Sequence, residues 1–84
     1  MSPMQTRTFQ LRDEFIELHH LLKFEGVASS GGEAKALVAA GKVLVDGVVE
    51  LRKSCKIRAG QQVRAGDVWI DVRAGRDEPP AVRT

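Results

Sequence analysis

Residues 21–57 read LLKFEGVASSGGEAKALVAAGKVLVDGVVELRKSCKI, and GQQV follows at residues 60–63. Within this stretch Ser30 and Glu33 have the spacing of a capping box, in which the serine hydroxyl accepts from the Glu33 amide and the carboxylate reaches back to the Ser30 amide. Apolar residues then recur at helical spacing as far as Gly41, which can adopt the left-handed conformation that ends a helix. The pattern predicts a short helix between these two signals.

A β-hairpin is predicted directly after this helix. Lys42–Val45 contains three apolar residues, two of them β-branched, Asp46-Gly47 is a strong signal for a tight turn, and Val48–Leu51 supplies the returning strand. Because nearly every position in both arms is apolar, the alternation that would identify the buried face is missing. The register of the hairpin therefore stays open.

The residues before this stretch predict another helix and a short strand. Apolar residues recur at three- and four-residue spacings from Glu14 to Glu25, Asp13 is placed to cap this helix, and Gly26 is placed to end it. Thr8–Leu11 alternates polar and apolar residues, as a half-buried strand does. The side chains assigned to the core from this region are those of Phe9, Phe15, Leu18, Leu21, Leu22 and Phe24.

The residues after the hairpin predict two more strands. Turn signals at residues 59–60 and 65–67 enclose Gln62–Arg64, and Val68–Val72 alternates aliphatic side chains with Trp69 and an aspartate. The resulting order is a short strand, two helices and several strands. This order predicts an α+β fold in which two helices pack on a small antiparallel sheet.

The size and composition are those of one small globular domain. The chain has 84 residues, 43% of them hydrophobic and 29% charged, which argues against a disordered chain and against a membrane protein. We expect one domain at residues 7–74, with flexible segments at 1–6 and 75–84.

A single cysteine and the lack of a signal-peptide pattern indicate a cytoplasmic protein. We expect it to be a monomer.

Positive charge is concentrated in the middle of the chain. Residues 31–64 carry seven basic and three acidic side chains, whereas residues 1–30 and 65–84 each carry three basic and four acidic ones. Five of the basic residues lie between positions 52 and 64, where the nearest acidic residue is Glu50. A polyanion is the natural partner of such a segment, and an ordinary solvated face is the alternative interpretation of the charge alone.

Few residues have the pattern of a catalytic or metal site. His19 and His20 are neighbours in the predicted helix, where successive side chains point about 100° apart, so they are not expected to converge on one ion. Cys55 lies between two lysines that would favour a thiolate, but a lone cysteine in a strand-like segment is more often a small packed residue. The carboxylates are scattered, and no glycine-rich nucleotide-binding pattern is present. We expect no catalysis, no metal ion and no cofactor.

The sparse aromatic side chains limit the ways in which a nucleic acid can be bound. Aromatic residues make up 5% of the chain, so unpaired bases have few surfaces on which to stack. An RNA partner should therefore be structured and contacted through its phosphates and backbone shape. Gly31-Gly32 at a helix start can let backbone amides approach a phosphate, and can equally be a flexible connection to a capped helix.

The order of elements and the motifs of residues 21–63 resemble the S4-type RNA-binding domain, particularly its compact single-domain bacterial members. In that family two helices and the following hairpin form an L-shaped basic surface, the αL motif, which binds structured RNA that is often ribosomal. Asp46 stands where asparagine is commoner, which adds a negative charge near that surface. The residues that we expect to bind RNA are Ser30, Gly31, Gly32, Lys35, Lys42, Arg52, Lys53, Lys56 and Arg58.

Two other functions are alternatives to RNA binding. A protein-interaction adaptor would use the same basic face to dock an acidic partner. An RNA-modifying enzyme is suggested by the catalytic domains that often accompany S4-type domains, but this chain has no room for one. Neither a membrane nor a small-molecule substrate is an expected partner.

Overall fold

The computed structural model describes residues 5–75, which form seven strands and two helices. In chain order the elements are β1 (Gln5–Gln10), β2 (Ile16–Glu17), α1 (Leu18–Phe24), α2 (Gly31–Ala39), β3 (Val43–Val45), β4 (Val48–Val49), β5 (Lys56–Ile57), β6 (Gln62–Ala65) and β7 (Val68–Arg73). Helix α2, the hairpin and the last two strands lie where the sequence predicts them.

Five of the strands form one sheet in the order β1-β7-β6-β3-β4. Neighbouring strands are antiparallel except β1 and β7, which run parallel from the Gln5↔Val68 pair to the Gln10↔Arg73 pair. The sheet is therefore mixed rather than antiparallel, because β1 and β7 are distant in sequence and no tight turn sets their relative direction. The predicted α+β fold, with two helices on a sheet, is confirmed.

One face of the sheet packs against both helices. Side chains alternate between the two faces along each strand, so Ile70 and Val72 are buried against the helices while Trp69 lies on the opposite face. The buried apolar side chains are those of Leu11, Leu18, Leu21, Leu22, Ala28, Ala34, Val38, Val43, Val45, Ile57, Val63, Ala65, Ile70 and Val72. This core positions α2 and the segment that precedes β5.

The structure gives the register of the hairpin that the sequence left open. Leu44 pairs with Val49 and Val45 with Val48. Asp46 and Gly47 have φ values of 52° and 85°, the positive values that a two-residue type I′ turn requires. Val45 is buried and Leu44 is only partly buried, so the helix-facing side of β3 carries its valines.

Helix α1 begins at Leu18, not at Glu14 as predicted. The two residues before it form β2, which pairs with β5 and makes a separate two-stranded sheet. The Leu18 amide donates to the carbonyl oxygen of Cys55 at 2.9 Å, so strand pairing satisfies a helix-start amide that has no partner within the helix. Asp13 therefore does not cap α1, because strand β2 lies between the two.

Phe24 is not a core residue, in contrast to the prediction. Its side chain is 73% exposed, and its ring lies 5.8 Å from the ring of Phe9, which is only partly buried. Phe24 follows Leu22 by two residues, which places it about 200° around the helix from that buried side chain. Phe15 is also partly buried.

Strand β1 begins two residues before the predicted start of the domain. Gln5 and Thr6 belong to β1, so the domain begins before residue 7. The first four residues and residues 76–84, which make up nearly all of the predicted C-terminal tail, lie outside the described residues. Neither helix within residues 5–75 is long and apolar enough to cross a membrane.

Candidate nucleic-acid interface

An open groove brings α2 together with the basic segment that follows the hairpin. Lys35 and Ala39 lie one helical turn apart on α2 and form one side of this groove. Residues 51–56, with the sequence LRKSCK, form the other side. Four of the predicted RNA-binding residues, from segments distant in sequence, therefore share one surface: Lys35, Arg52, Lys53 and Lys56.

Backbone hydrogen bonds hold this basic segment against the start of α1. The His19 amide donates to the carbonyl oxygen of Lys53 at 3.0 Å, and β5 pairs with β2 immediately afterwards. Ile57 is fully buried and anchors the end of the segment in the core. The backbone that carries Lys53 and Lys56 is thus held by the start of α1, by β2 and by the core.

The nearest acidic residue, Glu50, pairs with only one of the four basic side chains of the groove. Glu50 Oε2 accepts from Arg52 Nε and from the Arg52 amide, each at 3.0 Å. These hydrogen bonds lower the pKa of Glu50 and raise that of Arg52. No ion pair within residues 5–75 involves Lys35, Lys53 or Lys56, which leaves their ammonium groups available to an anionic ligand.

Phe15 supports two of the basic side chains. Lys56 Nζ lies 4.9 Å from the centre of the Phe15 ring, and Arg58 Cζ lies 5.6 Å from it. Both distances are typical of cation–π contacts, which contribute about 0.5–1 kcal/mol at exposed sites. Arg58 therefore adjoins the groove through the aromatic ring that it shares with Lys56, although it does not line the groove itself.

The predicted capping box at the start of α2 is present with one difference. Ser30 Oγ accepts from the Glu33 amide at 3.1 Å, as expected. The Glu33 carboxylate, however, accepts from the amide and the hydroxyl of Ser29, at 2.6 and 2.7 Å, and not from the Ser30 amide. These two bonds lower the pKa of Glu33. Gly31 and Gly32 follow the cap in the first turn of α2.

Lys42 does not join the same groove. It is exposed just beyond the C-terminal end of α2, whereas Ser30 lies at the N-terminal end, and the nine residues of the helix span about 13.5 Å. The predicted residues on and beside α2 therefore lie along its whole length, and four of the nine predicted residues share the groove. Arg64 lies on the far face of the sheet, with its guanidinium 5.0 Å from the Trp69 ring centre.

Asp46 has a structural role that its place in the turn did not suggest. Its Oδ1 accepts from the Gln62 amide at 2.9 Å, and its Oδ2 accepts from Gln61 Nε2 at 3.3 Å. The carboxylate therefore ties the hairpin to the start of β6. These donors partly satisfy the negative charge that the sequence placed near the basic surface.

Cys55 has the properties of a packed residue, as expected. Its side chain is half-buried against the core, and burial together with the nearby Glu50 carboxylate raises the pKa of the thiol. A raised pKa lowers the fraction of thiolate at neutral pH, which fits a packed thiol better than a reactive one.

The prediction that the two histidines diverge is wrong. The rings of His19 and His20 lie 4.2 Å apart, and Glu17 Oε1 is 3.0 Å from His19 Nε2 and 3.9 Å from His20 Nδ1. The separation of about 100° between successive helix positions describes where the side chains leave the helix and not where their rings end, and both imidazoles turn toward Glu17, the residue immediately before α1. Phe15 was also missed as a site residue, because its spacing matched the apolar side of a longer helix.

A family model described as S4 domain matches residues 9–73. The Escherichia coli (strain K12) protein named "Putative RNA-binding protein YbcJ" is 54% identical over 57 residues, which cover 67% of this chain and 81% of that protein. "Uncharacterized protein YbcJ" of Shigella flexneri has the same identity and coverage. The solution structure of E. coli YbcJ, described as revealing an αL motif involved in RNA binding, matches with a TM-score of 0.62 and 46% identity, covering 88% of this chain and 92% of that one.

Proposed function

The chain belongs to the S4 domain family, and on this basis we propose that it is a non-catalytic protein that binds structured RNA. The observation that carries the proposal is the groove in which Lys35 of α2 meets Arg52, Lys53 and Lys56. The description of YbcJ as containing an αL motif involved in RNA binding supports the same function.

The chemistry of the groove favours contacts to the phosphate backbone. Lysine and arginine side chains on an open surface bind phosphates and release the counterions that surround a nucleic acid, so affinity should fall as salt rises. A groove with walls from two separated segments also selects for shape, which favours folded RNA over a flexible single strand. Contacts of this kind position a protein on RNA without requiring a particular base sequence.

The finer proposal is that the RNA is ribosomal or part of a ribosome-associated particle. We further propose that the protein acts in the cytoplasm and as a monomer. The surface would extend from the groove to Ser30, Gly31 and Gly32 at one end of α2 and to Lys42 at the other, with Arg58 next to Phe15.

The test of the surface is the combined variant Arg52→Ala, Lys53→Ala and Lys56→Ala. Affinity for a labelled, folded ribosomal RNA fragment is measured by fluorescence anisotropy over a series of salt concentrations. Since each lost phosphate contact reduces the slope of log affinity against log salt by about one, the variant should bind more weakly and with a slope reduced by about three.

The matched control removes the same charge from other faces. Lys23→Ala, Arg64→Ala and Arg73→Ala together change three exposed basic residues outside the groove and should leave most of the affinity intact. Equal losses in the two triple variants would show that net charge alone attracts RNA, and would contradict the assigned surface. Far-ultraviolet circular dichroism of both variants verifies that the fold is retained.

Sedimentation tests the ribosomal part of the proposal. Lysate is separated on sucrose gradients at low and moderate salt, and the protein is expected to migrate with ribosomal particles until salt or ribonuclease releases it. A protein that stays at the top of the gradient and shifts no RNA in a gel would instead favour the protein-interaction adaptor.

A further inference from the structure

We propose that Glu17, His19 and His20 form a binding site for one divalent transition-metal ion of the Zn²⁺ class. One carboxylate oxygen and one nitrogen from each imidazole all lie within 4.8 Å of one another. Two imidazoles and a carboxylate are a ligand set that zinc uses in proteins, with a further coordination position left for water or a ligand. This site is additional to the proposed RNA-binding function and does not depend on it.

The distances suit a shared ion after a small adjustment. Zinc binds histidine nitrogen and carboxylate oxygen at about 2.0–2.2 Å, so two ligands on one tetrahedral ion are about 3.4 Å apart. Glu17 Oε1 lies 3.0 Å from His19 Nε2 and 3.9 Å from His20 Nδ1, on either side of that value. A zinc ion would take the place of the direct contact between Glu17 and His19, and a modest rotation of the His20 ring would bring its nitrogen into range.

Two of the three ligands are already held in place. Glu17 belongs to β2, which pairs with β5, and the His19 amide donates to the carbonyl oxygen of Lys53 at 3.0 Å. The His19 side chain is largely buried, whereas the His20 side chain is 58% exposed. The site therefore combines a fixed pair of ligands with an exposed third one on the side that faces solvent.

The surrounding charges permit a cation. Glu17 and His20 line a second groove together with Arg12 and Asp13, whose charges offset each other and leave the Glu17 carboxylate unbalanced. Lys56 is the cross-strand partner of Glu17, but its ammonium group lies over the Phe15 ring and forms no ion pair with Glu17. An ion at this site would be reached from solvent through the groove.

Calorimetry on the full chain without a histidine tag tests the site. Titration with ZnCl₂ should show one ion bound per chain, and Co²⁺ should give a visible absorption band from the same site. Glu17→Gln and His20→Ala should each lower the affinity about tenfold or more, since loss even of an outer-sphere partner lowers metal affinity about 10–100-fold. His20 is exposed, so its replacement should leave the circular dichroism spectrum unchanged.

Two controls separate this site from adventitious binding. Glu14→Gln removes an exposed carboxylate close in sequence but outside the cluster, and Cys55→Ser removes the thiol that could bind zinc on its own. Both variants should bind as the unmodified chain does. An absence of Zn²⁺ binding, binding that survives His20→Ala unchanged, or binding that is lost in Cys55→Ser would overturn the proposal.

Discussion

Gly31 and Gly32 open helix α2, although the fold requires a glycine at neither position. A Cβ atom added to Gly31 would meet no atom within 4 Å, and one added to Gly32 would lie 3.9 Å from Ser30 Oγ. Neither residue has a positive φ. Glycine is unfavourable in a helix relative to alanine, so packing and backbone geometry do not account for the pair. Close approach of an RNA backbone is the explanation that the proposed function offers.

Gly31→Ala should therefore separate stability from binding. The free energy of unfolding, measured by urea denaturation, should rise by about 0.5 kcal/mol because the unfolded chain loses conformational freedom. Affinity for folded RNA should fall because the added methyl group stands between the phosphate and the backbone amides. Unchanged affinity in the more stable variant would mean that the glycines only connect the cap to the helix.

Glu33 makes the stability of the fold depend on pH. The Ser29 amide, and next the Ser29 hydroxyl, donate to its carboxylate and lower its pKa below the ordinary value of 4.5. Because the folded-state pKa is the lower one, the stabilisation is fully present above about pH 4.5 and is lost as the pH falls through the folded-state value.

The variant Glu33→Gln should weaken this pH dependence. Its free energy of unfolding should fall less between about pH 6 and about pH 3 than that of the unmodified chain, since the glutamine does not titrate. Urea denaturation at both pH values measures the difference. Glu14→Gln is the control, because Glu14 is exposed in the bend before β2, and an equal flattening in that variant would contradict the assignment to Glu33.

At the scale of elements, the hairpin is joined to β6 by the side chain of its own turn. Asp46 has a φ of 52°, a conformation that is unfavourable for most residues other than glycine, asparagine and aspartate. Its carboxylate compensates by accepting from the Gln62 amide and from the Gln61 side chain. The turn therefore fixes both the register of the hairpin and its attachment to the sheet.

Asp46→Ala should cost about 1–2 kcal/mol in the free energy of unfolding. The substitution removes the hydrogen bond to the Gln62 amide and places alanine in the left-handed region. Asp46→Asn should retain most of the stability, because an amide oxygen can accept the same hydrogen bond. Asp67→Ala, at an exposed position in the β6–β7 turn, should change stability by less than about 0.5 kcal/mol. A loss of similar size in all three variants would disprove the role of the Asp46 contacts.

The sequence predicted well those elements whose boundaries depend on residues adjacent in the chain. It did not predict the start of α1, which depends on residues that are adjacent only in space. Helix α2 and the hairpin turn have their signals in Ser30, Gly41 and Asp46-Gly47, which flank the helix or form the turn itself. The start of α1 is set by the pairing of β2 with β5, whose residues are about forty positions apart, and an apolar period cannot reveal that pairing. The cluster of Glu17 with the two histidines was missed for a different reason, because these residues are close in sequence and only the orientation of their side chains brings them together.

The candidate site, too, could be predicted only in part from the sequence. The basic segment at residues 52–58 could be proposed because a local excess of charge is visible in the sequence, whereas Lys35 and Lys42 were proposed from the family resemblance. That Lys35 meets Arg52, Lys53 and Lys56, while Lys42 does not, depends on how α2 packs beside the segment before β5. The relative placement of these segments is a property of the tertiary fold and has no local signal.

At the scale of the molecule, the pairing of β1 with β7 joins the first and the last strand of the described residues. These strands run parallel over their whole length, and the Gln5 amide and the Leu11 amide extend the ladder at both ends. Strand β1 also reaches the end of α1, where the Arg7 guanidinium donates to the carbonyl oxygen of Glu25 and Phe9 contacts Phe24. One strand thus connects the sheet edge to the helical layer.

Removal of residues 1–10 should therefore destabilise the whole domain and not only its edge. The deletion exposes the hydrogen-bonding edge of β7, which invites pairing with another chain, and it uncovers the core beside Phe9. The urea midpoint should fall, and size-exclusion chromatography should show self-association. Trp69 is the only tryptophan and pairs with Thr6, so its fluorescence reports on the affected edge. A variant lacking only residues 1–4 retains β1 and is the control against which the longer deletion is compared; equal midpoints in the two variants would show that β1 is a dispensable addition to a four-stranded sheet.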